Sequence, residues 1–296
     1  MKHLDITKHK KWIGFALLLL FVSCISCSIA VPSQSIPSSK LVEVGLISHL
    51  KSQFPLLELE NEYPNISAIS FEPPLHTFNP SPYCFQYYDE GVRQYMQLDR
   101  GYPQTICHRT SYYLGVPKNE TGYDWSKWIP IVYEKIKDGS ASTGIVLVQP
   151  HVECTEDSYT ATAQLKWEDI FPMEDFKNLR YSIFLKADRI YYYNYRDPDY
   201  SVENIAYDII PLLGDVKEEY SGSGFPLFSS SDEYPTEQNP YFSLTTEPFT
   251  LPFIDGFPKN QQPKWSLHLI LSDGTDMDKN LYSWSFPIKE EDESYD

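Results

Sequence analysis

Residues 265–288, WSLHLILSDGTDMDKNLYSWSFPI, contain the clearest structural signal in this sequence. Large apolar side chains recur at every second position from Trp265 to Leu271 and again from Tyr282 to Ile288, and a polar loop separates the two runs. A period of two is that of a β-strand with one buried face. The stretch therefore predicts an antiparallel hairpin.

Upstream of this hairpin, the C-terminal half is predicted to contain further strands. Ile145–Val152 is a continuous apolar run, and Tyr159–Trp167 has apolar residues at alternate positions. Two more apolar runs, Tyr181–Leu185 and Ile190–Tyr195, flank the segment Lys-Ala-Asp-Arg and predict a second hairpin. Residues 221–259 are rich in serine, glycine, proline and aromatic residues and predict an irregular excursion.

Helices are predicted mainly in the N-terminal half. Apolar residues at helical spacing indicate helices at 41–50, 83–100 and 125–137, and a later one at 201–213. The sequence therefore predicts an α+β fold, with antiparallel strands and hairpins in the C-terminal half and a few helices, mainly in the N-terminal half. A mainly-β sandwich with appended helices is the alternative.

The first residues have the pattern of an export signal. Four lysines precede Trp12–Val31, a segment without a charged side chain. Within it, Leu20–Cys24 reads Leu-Phe-Val-Ser-Cys, which has the apolar and small residues of a lipobox before its cysteine. In this leader the chain resembles bacterial lipoproteins. The resemblance implies cleavage before Cys24 and a lipid anchor attached to that cysteine.

Two other fates of the leader remain open. Ser28 and Ala30 supply the small residues that cleavage after Ala30 requires. Alternatively, the twenty uncharged residues could stay as a transmembrane helix. In all three cases the lysines remain on the cytoplasmic side and the rest of the chain crosses the membrane. The predicted location is therefore the exterior face of the cell membrane, with secretion as the alternative.

The expected organisation has one folded domain. Residues 1–30 are the signal peptide or lipoprotein leader, and 31–40, polar and proline-bearing, form a flexible tether. A single extracytoplasmic domain is predicted at 41–288. The acidic residues 289–296 are expected to be a disordered tail.

Charge restricts the possible partners. The chain has 41 aspartates and glutamates against 24 lysines and arginines, which makes its net charge −17 at pH 7. An acidic protein repels phosphate backbones, so nucleic acid is excluded as a partner. The predicted partners are the membrane, through the N-terminal anchor, and a protein or glycan ligand.

Three cysteines follow the leader. In an oxidising compartment one disulfide is expected, and proximity in the sequence favours Cys84 with Cys107. Cys154, flanked by Glu153 and Glu156, is a poor candidate nucleophile because neighbouring negative charge disfavours the thiolate.

Two segments carry candidate ligand-binding residues. Tyr191, Tyr193 and Tyr195 would share one face of a strand, and an exposed aromatic face can stack on a sugar or anchor a protein.

Asp273, Asp276 and Asp278 place oxygen ligands close together in a loop and make calcium the possible cofactor. The EF-hand pattern then fails, because Leu281 stands where its glycine belongs. No other cofactor is predicted.

Motifs for catalysis are largely absent. The sequence has no dinucleotide or phosphate-binding glycine loop, no HExxH and no nucleophile elbow. Paired carboxylates such as Glu168–Asp169 would suit glycoside cleavage. The sequence therefore predicts an exported, membrane-tethered protein with a binding or surface-interaction domain, and the alternative is a secreted or tethered hydrolase that acts on glycans.

Overall fold

The computed structural model describes most of the region after residue 34. Residues Ser35–Asp296 form one compact unit. The unit Met1–Gln34, which contains the leader and Cys24, lies outside the described residues. The described residues are 35–45, 54–72, 82–94, 103–109, 118–119, 122–137, 144–155, 158–168, 173–191, 201–220, 224–229, 232–255, 257–258, 261–274 and 282–288.

Strands make up most of the regular structure. They are β1 (Lys40–Gly45), β2 (Ile66–Phe71), β3 (Gln104–Cys107), β4 (Lys118–Asn119), β5 (Gly122–Tyr123), β6 (Ile145–Cys154), β7 (Tyr159–Trp167), β8 (Leu179–Tyr191), β9 (Ser201–Ile209), β10 (Phe225–Pro226), β11 (Tyr241–Thr245), β12 (Trp265–Asp273) and β13 (Tyr282–Pro287).

The helices are short. The α-helices are α1 (Leu56–Glu62), α2 (Pro82–Gln86) and α3 (Trp128–Ile136). A π-helical segment, Tyr87–Arg93, continues α2. The 3₁₀ turns are Trp125–Lys127, Met173–Asn178 and Lys217–Glu219. Among the described residues, no helix is both long and apolar enough to cross a bilayer.

The largest sheet is mixed. Its strand order is β13-β12-β8-β9-β2-β1-β3, and β10 pairs with β8. The pairs β1–β2 and β2–β9 are parallel, and the other pairs are antiparallel. A separate antiparallel sheet has the order β11-β7-β6, and β4 pairs with β5.

The large sheet is curled so that its C-terminal edge strand reaches its N-terminal strands. The N–H of Ser39, just before β1, donates to the carbonyl of Ser283 in β13 at 2.8 Å. The hydroxyls of Ser67 in β2 and Ser283 lie 2.6 Å apart. The curled sheet therefore has a concave face and a convex face. It also incorporates Ser39 and Lys40, the last residues of the predicted tether.

Aromatic side chains of the π-helical segment fill the concave face. Phe71 of β2 contacts Tyr87, Tyr88 and Phe184, with ring centroids 5.4 to 5.6 Å apart. The ring of Tyr88 lies over Gly45, where a Cβ atom would be 2.0 Å from Tyr88 Cε1. A glycine at this position of β1 therefore lets the helical segment approach the sheet.

Helix α3 covers the convex face. Trp128 is fully buried, meets Phe54 edge to face at 4.9 Å, and donates a hydrogen bond from Nε1 to Thr105 Oγ1 of β3 at 3.1 Å. At the other end of this helix, Lys40 Nζ donates to the carbonyl of Ile136 at 2.6 Å. The ammonium group thus caps the carbonyl end of the helix, where a positive charge is favourable.

The predicted α+β class is wrong. In the structure 49% of the described residues are in strands and only 21% in helices, so the fold is mostly β, with sheets in mixed and antiparallel arrangement. The predicted hairpin at 265–288 is confirmed as β12–β13. The predicted strands at Ile145–Val152 and Tyr159–Trp167 are confirmed as β6 and β7.

Three elements differ from their predictions for one physical reason. The predicted helix at 41–50 begins instead with β1, and the predicted helix at 201–213 is β9. The predicted hairpin within 181–195 is instead the single strand β8, which continues through Lys186. These strands are buried on both faces over most of their length. Without an exposed face the alternation that marks a strand is lost.

Candidate functional site

Of the three tyrosines predicted to form a ligand-binding face, the structure describes only the first. Tyr191 is the last residue of β8 and is half-buried. Tyr193 and Tyr195 lie outside the described residues. The aromatic face therefore remains a prediction.

The predicted calcium site is likewise described only in part. Asp273 ends β12 and is buried, and Asp276 and Asp278 lie outside the described residues. Within the described part of the chain, no group of three His, Cys, Asp or Glu side chains is arranged to hold a metal ion. The calcium site remains a prediction.

The cysteines after the leader differ in exposure. Cys84 in α2 and Cys107 at the end of β3 are buried thiols, and the predicted disulfide between them is not formed in this structure. Proximity in the sequence was the only basis for that pairing, and the two residues lie on separate elements. Burial raises the pKa of the Cys107 thiol to about 12, which disfavours the reactive thiolate form. Cys154, in contrast, is exposed at the end of β6.

A buried ion pair joins β1 to Arg109, the second residue after β3. Arg109 Nε and Nη2 each donate to one carboxylate oxygen of Glu43 at 3.0 Å, and both side chains are fully buried. Arg109 has a φ of 48°, a conformation that is rare outside glycine, and its guanidinium lies 5.2 Å from the centre of the Tyr87 ring. Burial raises the pKa of Glu43, while the charge and hydrogen bonds of Arg109 act against that rise.

A serine–histidine pair also lies on the concave face. His268 Nε2 is 2.7 Å from the hydroxyl of Ser283, which contacts Ser67. Burial lowers the pKa of His268 well below its ordinary value, and the positive charges of Lys186 and Arg109 lower it further. His268 Nδ1 has no hydrogen-bond partner among the described residues. A catalytic triad needs a group that orients this atom and a serine that meets substrate. Because all three side chains are buried, the pair is a structural contact.

An open cleft of about 430 Å³ lies beside strand β11. Segments from three parts of the chain form it, and its lining combines six apolar residues with four polar or acidic ones. The lining residues are Leu212, Leu213, Leu227, Phe228, Asp232, Glu233, Phe242, Ser243, Leu244 and Thr245. Leu213 is 67% exposed, which is unusual for a side chain of this type, and Phe228 packs on Phe242 at 5.6 Å. The acidic residues Asp232 and Glu233 are exposed at this cleft.

The sequence reasoning missed this cleft. Most of its lining falls within 221–259, which had been predicted as irregular. The short alternation of Tyr241–Thr245, Tyr-Phe-Ser-Leu-Thr, was the one signal that could have identified β11.

A second open cleft of about 360 Å³ lies at the end of β7. It is lined by Lys166, Trp167, Glu168, Glu237 and Pro240. This cleft contains two carboxylates, as the hydrolase alternative requires. However, Lys166 Nζ lies 3.7 Å from Glu168 and pairs with it, and Glu237 is exposed.

Comparison with known proteins shows the fold alone. No protein-family model matches the chain, and no curated protein matches it. Among solved structures, HBP35 of Porphyromonas gingivalis is similar, with a TM-score of 0.52 and 13% sequence identity. The match covers 85% of this chain and 76% of that chain.

Proposed function

We propose that this protein is exported, stays attached to the exterior face of the cell membrane, and binds a ligand in the cleft beside β11. The observation that carries the proposal is the lining of that cleft, in which an exposed leucine and several half-buried apolar side chains lie next to two carboxylates. Ligand sites are typically concave and mostly apolar, with a few polar groups that orient the ligand.

The lining favours binding over catalysis. Its described residues include no histidine, cysteine, lysine or arginine, so the only ionisable side chains are Asp232 and Glu233. Asp232 is already used within the protein, because it accepts a hydrogen bond from the N–H of Ser229 at 2.5 Å. Glu233 alone is a weak basis for acid–base chemistry, whereas two carboxylates attract a cation. The ligand is therefore expected to combine apolar and positively charged groups.

The location is tested by the mass of the N-terminus. Protein purified from the membrane fraction of its native host is expected to begin at Cys24 and to carry added acyl mass, and a Cys24→Ala variant is expected to lack that mass. Intact mass spectrometry distinguishes the alternatives. A mass that begins at Val31 would indicate release, and a full-length mass would indicate a transmembrane anchor; either would contradict the lipid anchor.

The cleft is tested by substitution of its most exposed apolar residue. Peptides, oligosaccharides and small cationic amphiphiles are screened for compounds that raise the melting temperature of the wild-type domain. We expect Leu213→Ser to weaken binding of such a compound by about tenfold or more, because a small polar side chain replaces apolar contact area.

Val216→Ser is the matched control. Val216 is 50% exposed and lies outside the cleft lining, so this change removes apolar side-chain area nearby and should leave the affinity unchanged. Equal effects of the two changes, or an affinity that the change at Leu213 leaves unaltered, would contradict the assignment of the cleft as the ligand site. An oligosaccharide as the only ligand class would favour a glycan partner.

A further inference from the structure

The proposed cleft has a backbone edge as one wall. Strand β11 is an outer strand of the β11-β7-β6 sheet, so one side of its backbone faces away from β7. In an antiparallel pair, alternate residues direct their N–H and C=O groups to the partner strand. The hydrogen bonds at the ends of β11 identify which residues point in which direction.

The residues whose backbone N–H and C=O groups point away from β7 are Tyr241, Ser243 and Thr245. The carbonyl of Pro240 accepts from Trp167 N in β7, and the N–H of Thr246 donates to Ala161 O in β7, so even-numbered positions face β7. On the other side, the carbonyl of Thr245 accepts from the N–H of Leu213 at 2.9 Å. The backbone N–H and C=O groups of the odd-numbered residues of β11 therefore face the cleft.

Another segment of the chain pairs with this edge only from Thr245 onward. The segment around Leu213 pairs with residues 245–247 and extends no further along β11. Across the described residues, no backbone hydrogen bond is made on this side by Tyr241 or Ser243, and Ser243 is exposed. Four backbone groups thus remain available beside an apolar cleft.

Both edges of this sheet are bridged at one point, but the β6 edge also has irregularities that β11 lacks. Leu147 of β6 is bridged by Ile36, the β6–β7 register shifts between Leu147 and Gln149, and Pro150 lacks an N–H group. Coverage, irregular register and proline are the usual means by which edge strands avoid pairing with another chain. Strand β11 has neither a proline nor a charged side chain among its five residues, Tyr-Phe-Ser-Leu-Thr.

We infer that β11 binds an extended peptide segment of a partner protein, which adds a strand to the sheet and carries alternating apolar and basic residues. This inference rests on the proposed function of the cleft and names its ligand class. Backbone groups of Tyr241 and Ser243 pair with the peptide, and its apolar side chains enter the cleft near Leu213 and Phe228. The negative charge of Asp232 and Glu233 at the cleft attracts the basic peptide as a whole.

The probe is an acetylated and amidated heptapeptide in which lysine alternates with valine, and its affinity is measured by isothermal titration calorimetry. Ser243→Pro removes an outward N–H without removing a hydrogen bond to β7, and should weaken binding by about tenfold or more. Ser243→Ala keeps the N–H and is the control, with an expected change of less than about twofold.

A second arm uses the peptide and leaves the protein unchanged. Methylation of the peptide nitrogens, one at a time, should weaken binding at alternate positions only, because alternate N–H groups face β11. A heptapeptide with glutamate in place of lysine should bind at least about tenfold more weakly at low salt.

Failure of the inference is distinguishable from failure of the proposed function. Binding that is weakened by Leu213→Ser but insensitive to Ser243→Pro and to N-methylation would overturn the strand pairing and leave the cleft as a ligand site. No binding of the lysine–valine peptide would overturn the inference. Sedimentation showing dimers that Ser243→Pro dissociates would assign the edge to a second copy of this chain and would also overturn it.

Discussion

Glu43→Ala is expected to lower the free energy of unfolding by about 3–5 kcal/mol, because it leaves a buried guanidinium without its counter-charge. Both Glu43 and Arg109 are fully buried, and two hydrogen bonds of 3.0 Å join them. Water cannot replace the carboxylate without opening the concave face. Urea denaturation followed by tryptophan fluorescence measures the change.

The double variant Glu43→Leu with Arg109→Leu is the control for this prediction. Removing both charges eliminates the unpaired group, so the double variant should be more stable than Glu43→Ala. A single variant within about 1 kcal/mol of wild type would indicate that Arg109 finds water or another partner, and would contradict the structural role of the pair.

Trp128→Ala is expected to lower the free energy of unfolding by about 3–5 kcal/mol, through the cavity left between α3 and the convex face. Trp128 is fully buried and contacts both Phe54 and Thr105. The same urea titration, followed by circular dichroism because a tryptophan is lost, measures the effect.

Two further variants separate the contributions to this effect. Trp128→Phe keeps an aromatic ring and loses the hydrogen bond to Thr105, so its cost should be well below that of the alanine variant. Phe253 is 64% exposed, and Phe253→Ala should change the stability by no more than about 0.5 kcal/mol. Equal losses for Phe253→Ala and Trp128→Ala would contradict the packing described for α3.

Sequence patterns predicted those elements in which large apolar side chains alternate with smaller or more polar ones, or recur at a helical period with a clear end. In β7 the residues from Ala161 to Trp167 alternate between buried and half-buried positions, and the strand is visible in the sequence for that reason. The predicted helix at 125–137 is confirmed as α3 with its preceding turn. It was visible in the sequence because its buried residues recur at helical spacing. In the hairpin at 265–288 the alternation was visible, although β12 proved to be buried on both faces.

The large sheet could not be predicted because its central strands are covered on both sides. Lys186 is the clearest case. A lysine between apolar runs indicated a turn, yet it lies inside β8, 4% exposed, with Nζ 3.1 Å from Glu60. The partner that allows its burial lies on α1 and 126 positions away in the sequence. A local pattern contains no information about such a partner.

The candidate site could not be predicted from the sequence for a related reason. Leu213, Phe228 and Phe242 belong to three separate segments, and none of them is distinctive alone. What makes β11 a candidate is a backbone edge that, among the described residues, is unpaired at Tyr241 and Ser243, and this depends on which strands lie beside it. Strand neighbours follow from the topology of the whole sheet, so side-chain identity at 241–245 could not reveal the free edge.

The closure of the large sheet has a consequence for the order of events during synthesis. Ser67 and Ser283, which touch where the sheet closes, are 216 positions apart. The strands that emerge first from the ribosome therefore wait for the last strand before the sheet can close. Contacts between such distant residues form slowly. A chain of this kind therefore completes its largest sheet only after its last strand has been made.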